Sequence, residues 1–454
     1  MIKIFRIIIF ITVFVNQFLY SNSEDEEEQK YFNIFKQIYQ RIKNEYIEKK
    51  SPEELFTGAI EGMLKKLNDP HTAFLKEQEK QELQIETKGE YGGLGIVVGI
   101  RDNKLTVISP IEDTPAERAG IKAGDVILKI DGVEVKEPKI NEVVKKLRGE
   151  PNTTVTLTIK RENIETPIDY TLTRAIIKLK TVKYDTIKTN IGYIKLTSFS
   201  QNTPEELKSA IDSLLKKNIK ALIVDLRNNP GGLLDVAIKV SDYFLSEGLI
   251  VYTKARTNTF NPFLNQRYYA HKNDNLIPDD MPLVILINKG SASASEIFAG
   301  AIQDNNRGII VGTKSFGKGS VQSVIDLDNN SALRYTTAYY YTPKGKLIHN
   351  IGIIPDIEIE DINPSKMDYQ NINKIYKNKY ISNFLNEHPQ WTNSDIDELL
   401  KKLNEDGIEI DKILLKRLIR EEEARNKQKP FIDLEIDTQL KMAVQIALIK
   451  FKYK

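Results

Sequence analysis

The stretch Leu283-Val-Ile-Leu-Ile-Asn-Lys-Gly-Ser-Ala-Ser-Ala-Ser-Glu296 places a short apolar run directly before a glycine and a series of small residues. An unbroken apolar run of this length, bounded by turn residues, predicts a buried strand that ends at Asn288. The small residues beyond Gly290 predict a turn and then a helix, which we place at Ala294–Asp304. Strand, turn and helix in this order are typical of an α/β fold, and they put serines at a helix N-terminus.

The same alternation of strand and helix recurs throughout residues 176–362. Further elements are predicted as the strands Ile191–Leu196, Ala221–Leu226, Ile309–Gly312 and Leu333–Tyr341 and the helices Thr203–Lys216 and Val236–Phe244. Because helices that alternate with strands cover the faces of a sheet, this pattern predicts a mixed α/β core.

Other regions flank the core on both sides. Residues 90–175 alternate short strands with glycine turns, whereas residues 24–89 and 363–454 are predicted to be mainly helical. Individual helices are expected at Tyr31–Ile47, Pro52–Leu67, Pro138–Leu147, Asp395–Arg425 and Thr438–Phe451. The C-terminal helices either cover the core or pair with another subunit; we favour pairing, and with it a homodimer or higher homo-oligomer.

Composition narrows the function classes. The chain has 454 residues, a formal charge of +2 and no cysteine. This length predicts two or three domains. The near-neutral charge, with lysines spread along the chain, disfavours a nucleic-acid partner. The lack of cysteine excludes a thiol nucleophile, a thiolate metal site and a disulfide framework.

The first 23 residues have the pattern of a targeting segment. Lys3 and Arg6 flank an apolar run from Ile7 to Val15, and Ser21-Asn-Ser23 supplies small residues for a cut. This pattern predicts a secretory signal peptide, with retention as a membrane anchor as the alternative. We therefore expect an exported protein of the periplasm or cell envelope.

A serine and a lysine supply the catalytic chemistry that the sequence indicates. Lys318 lies in the run Phe316-Gly-Lys-Gly319, downstream of the serines. The residues between them are enough to form one helix and one strand before the chain returns to the same pocket. A lysine whose pKa is lowered by burial is a competent base for a serine hydroxyl. A Ser-Lys dyad of this kind needs no metal and no cofactor. Chemistry alone does not choose among Ser291, Ser293 and Ser295.

Six motifs in order resemble those of the carboxyl-terminal processing proteases, Ser-Lys peptidases with an inserted PDZ domain. The resemblance covers about residues 31–360. The motifs are Gly93-Leu-Gly-Ile96, Ala119-Gly-Ile-Lys-Ala-Gly-Asp125, Asp225-Leu-Arg-Asn-Asn-Pro-Gly-Gly232, Ser291-Ala-Ser-Ala-Ser-Glu296, Phe316-Gly-Lys-Gly319 and Gly352-Ile-Ile-Pro-Asp356. The family implies a crotonase-like α/β core and an inserted PDZ domain of the β-sandwich type.

The resemblance also implies roles for individual residues. The middle serine, Ser293, matches the nucleophile and Lys318 the base, with Gln322 orienting the amine. The oxyanion hole maps to the backbone amides of Gly232 and Ala294. We expect Glu296 only to complement the helix dipole.

In a PDZ domain, the backbone amides of a glycine loop bind a chain-terminal carboxylate and the adjacent groove accepts an extended peptide. Here that loop is Gly93, Leu94, Gly95 and Ile96, and the neighbouring apolar side chains favour protein substrates with apolar C-terminal tails. Arg148, near the hinge, is a candidate regulatory contact.

Two other functions compete with this prediction. The first is a catalytically inactive adaptor whose PDZ domain and crotonase-like core bind peptides or other ligands. A binder, however, does not need Ser293, Lys318 and Gln322 together. The second is a His-Asp-Ser protease with a PDZ domain, but none of the four histidines lies in the glycine-rich β-barrel context that such an enzyme needs.

Overall fold

The computed structural model describes residues 25–101, 103–162, 164–188, 190–256, 265–361, 364–423 and 431–452, so the predicted targeting segment lies outside the described residues. The described chain forms two compact units. The first contains residues up to Lys76 together with Val324–Thr336, and the second contains Glu77–Ser323 together with Thr337–Lys454. Within the described ranges, no helix is both long and apolar enough to cross a bilayer.

The first unit is mainly helical. It contains α1 (residues 25–45), α2 (Pro52–Lys65) and β1 (Ala73–Leu75), which pairs antiparallel with residues 332–334. Ser51 begins α2 with a capping box, in which Ser51 accepts from the Glu54 N–H and Glu54 accepts from the Ser51 N–H. The ring of Phe56 lies 4.7 Å from that of Tyr39, which joins the two helices. The two predicted N-terminal helices are therefore present.

The second unit begins with α3 and a predominantly antiparallel β-region. Its elements are α3 (Glu77–Lys88), β2 (Glu90–Gly93), β3 (Ile96–Arg101), β4 (Lys104–Pro110), α4 (Pro115–Arg118), β5 (Val126–Ile130), β6 (Val133–Glu134), α5 (Ile140–Leu147), β7 (Thr154–Lys160), β8 (Ile168–Thr173) and β9 (Ala175–Lys178). The sheet order is β3-β4-β5-β7-β8, with β6 paired to β5. Apolar side chains of this sheet and of α5 form one core, which includes Leu105, Ile127, Leu157, Val143 and Leu147.

The α/β region follows and is built on a six-stranded sheet. Its elements are β10 (Val182–Ile187), β11 (Ile191–Leu196), α6 (Thr203–Lys216), β12 (Ala221–Asp225), α7 (Leu234–Asp242), β13 (Leu249–Ala255), β14 (Arg267–Tyr269), β15 (Leu283–Ile287), α8 (Ala294–Asp304), β16 (Ile309–Gly312), β17 (Ser320–Asp326), β18 (Ala332–Tyr341) and β19 (Ile357–Glu358), with residues 324–336 of β17 and β18 belonging to the first unit. The sheet order is β10-β11-β12-β15-β16-β19, and all pairs beyond the antiparallel β10-β11 are parallel.

Parallel strands place their carboxyl ends at one edge of the sheet, where α/β folds build their sites. The loops after β12 and β15 leave from this edge, because these two strands are neighbours. Five consecutive buried residues in each of β12 and β15 explain why both strands were predictable from unbroken apolar runs. Helices α6, α7 and α8 cover one face of the sheet.

The described residues of the C-terminal region form the helices α9 (Lys366–Lys377), α10 (Tyr380–Glu387), α11 (Asn393–Glu405), α12 (Lys412–Glu423) and α13 (Thr438–Lys452). Helices α9 to α12 share an apolar core of their own. The segment predicted to be helical at Asp395–Arg425 forms two helices, α11 and α12, because Gly407, at a φ of +70°, follows the end of α11. Two further helices, α9 and α10, were missed because lysine and asparagine obscure their apolar spacing.

The last helix lies on the sheet. Leu440, Ala443 and Val444 of α13 share one buried cluster with Ile223 of β12 and Leu286 of β15. This helix therefore covers the core, whereas the sequence favoured pairing of the C-terminal helices with another subunit. Pairing with another subunit stays a prediction.

Candidate active site

The turn between β15 and α8 holds Ser293 in an unusual backbone conformation. Its φ is +54° and its ψ is −113°, outside the allowed regions for a residue with a Cβ. Such a conformation persists only where the surroundings enforce it, and it is found most often at functional sites. Ser293 is buried at the N-terminus of α8, as the sequence predicted.

The flanking serines bind the turn to the loop that follows β12. The Ser291 hydroxyl donates to the Leu226 carbonyl at 2.8 Å, and the Ser295 hydroxyl donates to the Asn229 carbonyl at 2.9 Å. The Ala292 N–H also donates to the Asn229 carbonyl, at 3.0 Å. Ser291 and Ser295 are thus engaged in holding two loops together, a distinction among the three serines that their spacing did not reveal.

Glu296 connects the serine turn to the lysine loop. Its carboxylate is fully buried and accepts the Ser293 N–H at 2.8 Å, the Lys318 N–H at 2.8 Å and the Gly317 N–H at 2.6 Å. The Ser315 hydroxyl donates to it as well, at 2.5 Å. Burial raises the pKa of Glu296, and these four hydrogen bonds oppose the rise.

Sequence reasoning missed this role for Glu296. Its position three residues after Ser293 is the spacing of a capping box, so a contact with the Ser293 N–H could have been found. The hydrogen bonds to residues 315–318 could not, because they depend on how two loops meet in the folded chain. The expectation that Glu296 only complements the helix dipole is therefore wrong.

The lysine loop is shaped by close backbone packing. Gly317 has a φ of +92°, and its carbonyl accepts the Asn350 N–H at 2.8 Å. A Cβ at Gly319 would lie 2.1 Å from the His349 nitrogen, so only glycine fits there. Lys318 is half-buried between these two glycines. The Lys318 N–H and the Ser293 N–H donate to the same oxygen, Oε2 of Glu296, which brings the two sequence-predicted segments together.

Gln322 lies on β17, beyond the lysine loop. Its side-chain amide donates to the Ser320 hydroxyl at 2.7 Å. The predicted contact with the lysine amine stays a prediction.

The loop after β12 brings two glycines against the serine turn. A Cβ at Gly231 would lie 2.6 Å from the Ala292 carbonyl oxygen, and one at Gly232 would lie 2.1 Å from the Phe199 carbonyl oxygen. The Gly231 N–H donates to the Asn229 side chain at 2.9 Å. No acceptor among the described residues pairs with the N–H groups of Gly232 and Ala294. These two amides are the sequence-predicted oxyanion donors.

One group of three side chains within the described ranges has the spacing of metal ligands. Ligand atoms of Asp242, His271 and Asp274 lie within 4.8 Å of one another. The Asp242 carboxylate already accepts the His271 N–H at 2.5 Å and contacts its ring Nδ1 at 3.1 Å. These contacts hold the segment after β14 against the end of α7.

The glycine loop at the start of β3 has its carbonyls turned inward. The Leu94 carbonyl accepts the Ala116 N–H at 3.0 Å, and the Gly95 carbonyl accepts the Ile111 N–H at 2.8 Å. Gly95 has a φ of +75°, and a Cβ there would lie 2.3 Å from Thr114. Gly93, Leu94 and Gly95 are buried and Ile96 is half-buried.

Arg148, the candidate regulatory residue, lies beside the ribbon of β2 and β9 that leads into this region. Its guanidinium lies 4.9 Å from the centre of the Tyr91 ring. The next residue, Gly149, donates its N–H to the Gly92 carbonyl at 3.1 Å. Arg148 therefore contacts the ribbon of β2 and β9, and its regulatory role stays a prediction.

Comparison with known proteins identifies the family. Residues 190–359 match Peptidase family S41, residues 106–161 match the PDZ domain, and residues 13–79 match the Activating protease CtpB N-terminal domain. A carboxy-terminal-processing protease of Bartonella bacilliformis is 44% identical over 350 residues, covering 76% of this chain and 79% of the relative. This chain belongs to the carboxy-terminal-processing protease family.

The protease has further relatives in other bacteria. A probable CtpA-like serine protease of Staphylococcus saprophyticus is 38% identical, over 79% of this chain and 70% of that protein. Among solved structures, the photosystem II D1 C-terminal processing protease is 31% identical, with a TM-score of 0.42, over 72% of this chain and 86% of that one. The predicted family, the α/β fold with a PDZ domain and the serine-type peptidase activity are confirmed.

Proposed function

We propose that this protease cleaves peptide bonds with Ser293 as nucleophile and Lys318 as general base. One observation carries the proposal: a single carboxylate oxygen of Glu296 accepts the backbone N–H of both residues, each at 2.8 Å. Two segments separated in sequence are thereby held at one buried point. A dyad needs this fixed relation between nucleophile and base.

The reaction follows from these positions. The Ser293 hydroxyl attacks the peptide carbonyl while the neutral amine of Lys318 takes its proton. The oxyanion that forms is bound by the N–H groups of Gly232 and Ala294, each contributing roughly 3 to 4 kcal/mol of stabilisation. Lys318 then protonates the leaving amine, and water hydrolyses the ester. Gln322 orients the lysine amine.

The PDZ domain supplies the substrate tail. The amides of Gly93, Leu94, Gly95 and Ile96 bind the terminal carboxylate, and half-buried Ile96 and Val98 beside α5 provide an apolar surface for the last side chains. Arg148, stacked on Tyr91 at the ribbon, gates the movement of this domain. The substrates are exported proteins with apolar C-terminal tails, cleaved in the periplasm or cell envelope.

Cleavage of a denatured protein with an apolar tail tests this function. The wild-type chain is compared with Ser293→Ala and Lys318→Met, and fragments are read by mass spectrometry. Lys314→Met, an exposed lysine of the same loop, and Ser323→Ala, a serine of β17, are the matched controls. We expect cleavage by the wild type and both controls only. Turnover by Ser293→Ala at the wild-type rate would refute the dyad.

A second arm tests tail recognition. The same substrate is offered with a free carboxylate and with an amidated C-terminus. Amidation removes the charge that the glycine loop binds, so we expect KM to rise. Equal KM values for both forms would refute capture of the carboxylate.

A further inference from the structure

The loop that carries Gly231 and Gly232 is tied to the last helix of the chain. Arg227, which lies at the start of this loop, is placed between the carboxylates of Asp225 and Asp437. Asp225 is fully buried, and the Arg227 side chain is only 13% exposed. Asp437 directly precedes α13, 210 residues further along the chain. The sequence contains no local signal for this contact.

The guanidinium of Arg227 uses all three of its nitrogens. Its Nη2 donates to Asp225 Oδ2 and to Asp437 Oδ2, both at 2.7 Å, and its Nε donates to Asp225 Oδ1 at 3.0 Å. Its Nη1 donates to Asp437 Oδ1 at 2.8 Å and to Gln439 Oε1 at 3.1 Å. Paired hydrogen bonds from a planar guanidinium fix orientation as well as distance. Arg227 is therefore locked from both sides.

Asp437 and Gln439 are themselves held in place. The Asp437 carboxylate accepts the Leu440 N–H at 2.9 Å, which caps α13. The side-chain amide of Gln439 donates to the Ile359 carbonyl at 2.7 Å, and the apolar face of α13 lies on the sheet. The contact with Arg227 is thus made by a helix that the core fixes.

The same loop also contacts the turn between β15 and α8 that holds Ser293. The Asn228 N–H donates to the Asn288 side chain at 2.9 Å, and the Asn229 carbonyl accepts the Ala292 N–H at 3.0 Å. Arg227 and Gly232 are separated by only four residues. A displacement of Arg227 is therefore transmitted over a short backbone segment to the amide that faces the oxyanion.

We propose that Asp437 and Gln439 are positioning residues for the oxyanion-binding loop, so that the C-terminal helix α13 is required for catalysis. Both residues lie beyond the segment that matches the peptidase family, residues 190–359. The inference rests on the proposed role of the Gly232 amide. It assigns α13 a part in the chemistry in addition to its cover of the sheet.

Steady-state kinetics of Asp437→Asn test the proposal, with Asp433→Asn as the matched control. Asp433 lies in the same connecting segment and loses the same charge, but its carboxylate contacts the Glu435 N–H and Arg420. We expect Asp437→Asn to lower kcat by about 10- to 100-fold, because small displacements of catalytic groups have effects of this size, and to change KM by less than about 2-fold. Asp433→Asn should retain both values.

A peptide boronate separates positioning from general stability. Its tetrahedral adduct with Ser293 places an oxygen in the oxyanion site, whereas a plain product peptide does not. In Asp437→Asn the boronate affinity should fall by the same factor as kcat, and the affinity for the product peptide should stay unchanged. Equal losses for both ligands would overturn the proposal, as would a loss of kcat in Asp433→Asn that matches the loss in Asp437→Asn.

Amide hydrogen exchange of residues 226–232 gives a reading that does not depend on activity. Exchange there should be about 10-fold faster or more in Asp437→Asn than in the wild type, because the loop loses one of its anchors. Unchanged protection would overturn the inference even if the protease is active. If the wild type did not cleave, the proposed function would fail, and exchange alone would decide whether Asp437 holds the loop.

Discussion

Replacing Glu296 with glutamine perturbs the contact that joins the two segments of the proposed Ser293-Lys318 dyad. The carboxylate accepts four hydrogen bonds, two at each oxygen. A glutamine keeps one oxygen and replaces the other with an NH₂ group. The favoured orientation keeps the oxygen on the Ser293 and Lys318 N–H groups and turns the NH₂ toward Ser315, whose hydroxyl is able to accept. The Gly317 N–H then faces a donor.

The effect on stability is the difference between two terms. Leaving the buried Gly317 N–H unpaired costs about 1 to 3 kcal/mol. Against this, the substitution removes a buried charge whose cost is seen in the raised pKa of Glu296. We therefore expect the free energy of unfolding to fall by about 1 to 2 kcal/mol at pH 7. The chain should remain folded.

The effect on catalysis should be larger. Gly317 precedes Lys318, so relaxation of its unpaired N–H moves Lys318, the proposed base, relative to Ser293. Displacements near 1 Å cost about 100-fold in rate, so kcat should fall by about that factor. KM should be little changed, because the proposed site for the substrate tail is the glycine loop of the PDZ domain.

The assay combines peptide turnover with chemical denaturation, and Glu54→Gln is the control. Glu54 forms the same capping box with Ser51, but on the exposed N-terminus of α2. That variant should lose little stability and keep the wild-type kcat. A folded Glu296→Gln protein with kcat within about 3-fold of the wild type would refute the role assigned to this carboxylate.

The pH dependence gives an independent check on Glu296. Because its pKa is raised in the folded state, the protonated form is favoured there, and this contribution to stability is lost as pH rises through the folded pKa. The wild type should therefore gain stability relative to Glu296→Gln as pH falls from 7 toward the ordinary glutamate pKa of about 4.3. A stability difference that stays constant over this range would contradict the raised pKa.

Two further predictions concern other parts of the second unit. Gly232→Ala should lower kcat by about 100-fold or more, because the added Cβ would lie 2.1 Å from the Phe199 carbonyl oxygen and must displace the loop. The control is Gly120→Ala, which is also at positive φ but has open space around it. Equal kcat values for the two variants would contradict the prediction. Asp125→Asn should destabilise the PDZ region by about 3 kcal/mol, measured by its unfolding, because Arg161 would lose a buried partner at 2.7 Å. Burial alone would raise the pKa of Asp125, but hydrogen bonds from Arg161 and from the Lys122 N–H hold it below its ordinary value. This contribution is therefore present above pH 3.9 or so and is lost as pH falls through the folded pKa, a trend that Asp125→Asn should lack.

Much of the fold could be predicted from short-range patterns. The strands β12 and β15 were predictable because each begins with at least four consecutive apolar residues that are buried on both faces of the sheet. The position of Ser293 at the start of α8 was predictable from the apolar strand, the glycine and the small residues around it. Helices α9 and α10 were not recognised, because their apolar positions are diluted by lysine and asparagine and pack in a cluster with other C-terminal helices.

The amino-acid sequence by itself determined the elements that carry Ser293 and Lys318, the proposed dyad, since hydrophobic period, glycine positions and capping residues act within a few residues of one another. Only the tertiary structure decided that Glu296 binds the Lys318 loop and that Arg227 binds Asp437. Both contacts join residues that are far apart in sequence. A buried charged group needs hydrogen-bond partners, and these partners come within reach only when the sheet and its helices have packed together.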